Sequence, residues 1–109
     1  MPPGKIAAIS DGERKIEIAF WDYIEHEEES VGGLWVPPTF LRPAQVLACG
    51  TAAPFDLAVA VNHELYHAGE WAEGVSISHA ALTKLARYQM RLFRHSPHLL
   101  DFFRAYSQK

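Results

Sequence analysis

Two histidines four residues apart, with a glutamate directly after the first, are the residues whose types and spacing carry chemistry here: His63-Glu64-Leu65-Tyr66-His67. On a helix, residues i and i+4 project from one face, one turn apart. Both imidazoles can therefore ligate a single zinc ion at about 2.0–2.1 Å. Glu64 stands on the flank of that face. Zinc lowers the pKa of a held water toward about 7, and the carboxylate can accept its proton as the water attacks a carbonyl. The spacing thus points to metal-assisted hydrolysis, with His63 and His67 as ligands and Glu64 as general base. Ala60, Val61, Asn62, Leu65, Tyr66 and Ala68 around the motif are uncharged, as a helix running through a core requires. Tyr66 points away from the ligand face and is expected to be structural.

A catalytic zinc needs a third protein ligand and an open position. His79 ranks first: it opens the next predicted helix, and a reversal over 73–78 returns it to the metal. Glu73, six residues after His67, ranks second. Glu70, one turn beyond His67, ranks third and fits better as a partner that orients an imidazole.

Several elements must position these groups. Pro54-Phe55-Asp56 opens a helix to about Ala72, stopped at Gly74, with Leu57, Val61, Leu65 and Ala68 along one side. Ser78 caps a second helix from His79 to about His95. Its expected buried stripe is Leu82, Leu85, Ala86, Gln89, Leu92 and Phe93, and Lys84, Arg87, Arg91 and Arg94 form a basic stripe. Pro97 starts a last helix, His98 to Tyr106, with Leu99, Leu100, Phe102 and Phe103 expected to pack inward. The N-terminal half is less decided. Ser10 with Glu13 reads as a capping box, and Asp11-Gly12 as a hairpin turn. Ile16, Ala19, Phe20, Tyr23 and Ile24 recur at helical spacing, whereas Ile16, Ile18 and Phe20 alternate as in a strand; the reading adopted over 13–29 is a helix. Leu34-Trp35-Val36 is expected to be a short strand before Pro37-Pro38, and 39–53 a loop with one short helix from Pro43. The fold class that follows is mainly α, with α+β through a small N-terminal hairpin or short strand as the alternative, and the motif on a central helix.

His63-Glu64-Leu65-Tyr66-His67 resembles the active-site helix of the zincin metallopeptidases, and most of all that of the short phage metallopeptidases. These carry an H-E-L-x-H helix and a later histidine that opens another helix, to which His79-Ala80-Ala81-Leu82 is similar. The resemblance covers roughly residues 55–95. It implies a zinc site with His63 and His67 as ligands, Glu64 as general base and a peptide or protein substrate held along an edge strand, for which only Leu34-Trp35-Val36 is available. Glu73 occupies the third-ligand position of the metzincin pattern, although Gly69 falls one residue early for it. A second resemblance is to the metal-binding helix of DinB-like four-helix bundles, through His63-x-x-x-His67-x-Gly69-Glu70. It implies a third histidine from an earlier helix, which only His26 can supply, and leaves Glu64 without a special role.

The 109 residues suit one domain, 1–109, of ordinary composition, 49% hydrophobic and 21% charged. Pro43 to Phe55, the longest uncharged stretch, is too short and too interrupted to span a bilayer. Met1-Pro2-Pro3-Gly4-Lys5 lacks the apolar region of a signal peptide, so a cytoplasmic protein is expected. Cys49 is the lone cysteine, which excludes an internal disulfide and a thiolate zinc cluster; a small buried side chain is expected. Acidic residues concentrate in 1–30 and basic ones in 74–109, with a net charge of −3. The basic stripe is expected to be a solvated face or a contact to acidic residues 25–29, and no nucleic acid or membrane partner is indicated. His26 reads as part of a solvated acidic segment, and His95 and His98 as residues of a helix junction. The function expected is a zinc-dependent, metallopeptidase-like hydrolase. The alternative is a non-enzymatic interaction or regulatory protein of the phage accessory type, whose polarised charge serves a protein partner or a homodimer.

Overall fold

The computed structural model describes residues 4–22, 24–26, 29–30 and 32–108. In chain order it has strands β1 (Gly4–Ser10), β2 (Lys15–Trp21), β3 (Glu25–His26), β4 (Glu29–Ser30), β5 (Gly33–Val36) and β6 (Ala44–Cys49), then helices α1 (Pro54–Glu73), α2 (His79–His95) and α3 (Leu99–Ser107). Four strands form one sheet in the order β1-β2-β6-β5, and β3 pairs with β4 in a separate two-stranded ribbon. The architecture is a mixed α/β fold, which corrects the mainly helical expectation.

The correction falls on two segments. The stretch read as a helix over 13–29 is β2 followed by the β3–β4 ribbon. Its alternating Ile16, Ile18 and Phe20 prevail because the Asp11-Gly12 turn delivers β2 antiparallel to β1. Asp11 Oδ1 accepts the backbone N–H groups of Glu13 and Arg14 at 2.8 and 2.7 Å, and Gly12 takes φ 98°, where a side chain is strained. The capping box is therefore not used. The short helix expected from Pro43 is instead strand β6, which pairs parallel with β2 and antiparallel with β5. Ala44, Val46 and Ala48 on one face of β6 are 0–1% exposed. Two alanines flanking a valine leave little bulk on that face, and it packs with Ile16, Ala68, Val61 and Leu65.

The C-terminal signals hold. Pro54 lies in the first turn of α1, and Gly74 ends the helix in the left-handed region at φ 66°. Ser78 caps α2 by accepting from the Ala81 N–H at 3.2 Å. The α1–α2 pair is joined by Asn62 Nδ2, which donates to Ala86 O at 3.2 Å and Gln89 Oε1 at 2.7 Å. Of the stripe expected to be buried on α2, Leu82 and Ala86 are fully enclosed, but Leu85 and Leu92 are exposed. α3 departs further: none of its residues is buried, contrary to the inward packing expected of it. Arg87 of the basic stripe meets Asp56 at 3.1 Å, and with Arg94 lies over the Phe55 ring; the side chains of residues 25–31 lie outside those described. Cys49 is partly buried, with Sγ 3.0 Å from Thr51 Oγ1. No helix among the described residues is long and apolar enough to cross a membrane.

Candidate metal centre

α1 carries both motif histidines past the face of the sheet at its β5 edge. Their Nε2 atoms lie 3.2 Å apart. Two nitrogens bound tetrahedrally to one zinc at about 2.05 Å stand about 3.3 Å apart. His79 reaches the pair from the first position of α2, with its ring centroid 4.9 Å from that of His63 and 5.9 Å from that of His67. One nitrogen from each of the three rings lies within 4.8 Å of the others. This donor set fits a zinc-type ion, for which three imidazoles and one open position are an established catalytic arrangement.

Local sequence explains the convergence. The i, i+4 spacing sets the first two rings. The left-handed Gly74 turns the chain, and the Ser78 cap starts α2 so that its first side chain faces back over α1. Among the expected third ligands, His79 joins the cluster, whereas Glu73 is exposed and outside it. Glu70 takes the orienting position: its Oε1 is 2.6 Å from His67 Nδ1. A carboxylate can only accept, so Nδ1 carries the hydrogen and Nε2 presents its lone pair to the cluster. His63 Nδ1 faces Thr83 Oγ1 on α2 at 3.5 Å.

Electrostatics follow burial. Desolvation first, and then the neighbouring His67 and His79 charges, pull the His63 pKa down to about 4. Its ring is therefore neutral at neutral pH. Glu64 is 7% exposed, with Oε2 4.0 Å from His63 Nε2. Burial pushes its carboxyl up, opposed by the His67 charge and by a hydrogen bond from the Trp35 backbone.

That bond ties Glu64 to the edge strand. Cys49 N–H donates to Gly32 O at 3.0 Å, and pairing alternates along an antiparallel ladder. In the β5–β6 register the backbone polar groups of Gly33 and Trp35 therefore point to the open edge, where no described strand pairs. Gly33 crosses directly over the catalytic candidate: a Cβ there would lie 3.0 Å from Glu64 Oε2 and 3.2 Å from Leu47 O. Neither Gly33 nor Thr83 was given a role at the site from the sequence; for Gly33 the available signal was a glycine directly preceding the sole edge-strand candidate. An open cleft of about 640 Å³ runs between β5 and the helices, lined by Gly33, Trp35, His63, Glu64, His67 and His79 among others.

The DinB-like arrangement is not formed. The described residues hold three helices and a sheet rather than a four-helix bundle, and the backbone of His26 is strand; its side chain lies outside those described. No family model matches the chain, and comparison with curated proteins and with solved structures finds no relative.

Proposed function

We propose that the chain is a zinc-dependent, metallopeptidase-like hydrolase acting in the cytoplasm on peptide or protein substrates. The observation that carries this reading is the convergence of three imidazole nitrogens within 4.8 Å beside a buried glutamate and a strand edge that no described strand pairs. His63, His67 and His79 would hold the ion. Zinc there supplies Lewis acidity toward water and toward a carbonyl oxygen. Glu64 takes the proton of the attacking water and returns it to the leaving amine. The outward N–H of Gly33 and the outward C=O groups of Gly33 and Trp35 hold an extended peptide beside Glu64 by strand addition, the Trp35 N–H being engaged by Glu64 itself.

Elemental analysis of protein purified without a histidine tag tests this reading, for wild type and for His63→Ala. About one zinc per chain in the wild type, lost in the variant, is expected. No metal in the wild type, even after zinc is added back, defeats it.

One observation favours a second reading, a non-enzymatic interaction protein whose partner is a second copy of the chain. Leu85, Tyr88 and Leu92 on α2 and Phe102, Phe103 and Tyr106 on α3 are each 39–60% exposed. At about 100 Å² each, these side chains offer on the order of 600 Å² per copy, near the roughly 800 Å² per partner of standard interfaces. Light scattering over a concentration series tests it: dimers that Phe103→Asp dissociates are expected, and a wild type monomeric throughout removes it.

A further inference from the structure

Glu70 makes more contacts than orienting His67 requires. Oε1 takes the His67 Nδ1 hydrogen at 2.6 Å, and Oε2 accepts the Ile77 backbone N–H at 2.7 Å. Its backbone carbonyl accepts from Val75 N–H at 3.1 Å and from the Gly74 N–H. Every arm beyond His67 ends in the loop 74–78, the segment that leads into His79. The loop is otherwise exposed, so few other contacts fix its path. Ile77 lies two residues before His79, close enough for its position to set where α2 begins.

We propose that Glu70 is a positioning residue that braces the loop carrying His79 against His67, so that one carboxylate sets the placement of two metal ligands at once. The proposal rests on the metal-site reading above. It needs a carboxylate in particular. Each oxygen serves one donor, and a glutamine has one acceptor oxygen to offer two donors that face different ways. Loss of the His67 arm frees that ring to adopt the other tautomer, and loss of the Ile77 arm lets His79 drift from the cluster.

Three variants separate the two arms from the ligand itself: Glu70→Gln, Ile77→Pro, which removes the loop donor while also fixing φ at that position, and His79→Ala as reference. Zinc affinity is read by competition with a chromophoric chelator, and the coordination sphere by the visible spectrum of the Co(II)-loaded protein. Glu70→Gln and Ile77→Pro are each expected to weaken zinc binding roughly 10–100-fold. Their Co(II) bands should shift toward that of His79→Ala. Wild-type affinity and spectrum in Ile77→Pro would overturn the brace and leave Glu70 as an orienter of His67 alone. A second measurement needs no metal and no proline: in metal-free Glu70→Ala, the Ile77 amide is expected to exchange with solvent roughly tenfold faster or more than in wild type. Unchanged exchange overturns the brace. A wild type that takes up no zinc would defeat the hydrolase reading, while the amide measurement would still decide the brace.

Discussion

Glu64 and Gly33 form a pair in which each constrains the other. The carboxylate lies beneath the strand because a glycine there leaves room for it, and the strand passes so low because nothing projects from Gly33. Glu64→Gln keeps the shape but cannot accept a proton. It should lower peptide hydrolysis by roughly 10²–10⁴-fold, the usual worth of a general base, with zinc content unchanged. Release of the metal by that variant would instead make Glu64 a ligand. Gly33→Ala sets a methyl 3.0 Å from Glu64 Oε2 and 3.2 Å from the Leu47 carbonyl. Overpacking of this kind costs about 1–3 kcal/mol, and here it falls on the catalytic candidate. Activity should drop by more than metal affinity does; wild-type kcat in a folded Gly33→Ala protein would show that Glu64 does not depend on the close crossing.

At the scale of elements, the β1–β2 turn gives a pH-dependent prediction. The backbone N–H groups of Arg14 and Glu13, and to a lesser degree the Arg14 charge, hold the Asp11 carboxyl below its ordinary 3.8. A folded-state pKa depressed in this way contributes stability that is present above 3.8 and is lost as pH falls through the lower folded value. Wild type should therefore exceed Asp11→Ala in thermal stability at neutral pH, and the gap should narrow as pH drops below about 3.8. A gap independent of pH would mean that the charge of Asp11 contributes nothing to the turn. The same turn shows where sequence reasoning succeeded and failed. The helices α1 and α2 were legible because Pro54, Gly74 and Ser78 act locally and the apolar period persists for several turns. The place of His79 beside His63 and His67 was legible because it directly follows the Ser78 cap. The sheet was not. Ile16 and Phe20 satisfy both periods, and the choice depends on pairing, with β1 across the Asp11-Gly12 turn and with β6 some 28 residues away in the chain. Ala44, Val46 and Ala48 declare their alternation only through burial beneath α1, which no local signal records. The contact between Gly33 and Glu64 is tertiary in the same sense.

The whole molecule has a radius of gyration of 14.3 Å. A packed globule of about 100 residues has about 13 Å. α3 accounts for part of the difference, since it packs only weakly on α2 and buries none of its residues. Ending the chain at Ser96 should leave zinc content unchanged and shift Tm by less than about 5 °C, the equivalent of roughly 1 kcal/mol for a domain of this size. A large loss of stability would mean that α3 supports the fold. Loss of self-association with Tm retained would assign α3 to an interface between copies.

The brevity of β5 has a consequence of its own. Four residues form this edge, and Pro37 and Pro38 follow at once, so only Gly33 and Trp35 turn their backbone groups outward. A proline has no N–H to offer a neighbouring chain, and the ladder cannot lengthen in that direction. On the hydrolase reading, an extended segment of a substrate would be gripped over about two residues and no more. If the chain is the peptide hydrolase proposed above, affinity for any one sequence would be correspondingly shallow, and a tightly folded substrate would have to loosen a short stretch before it could be engaged. The same shortness guards the molecule against its own kind, because a strand this small is a poor template for stacking copies edge to edge.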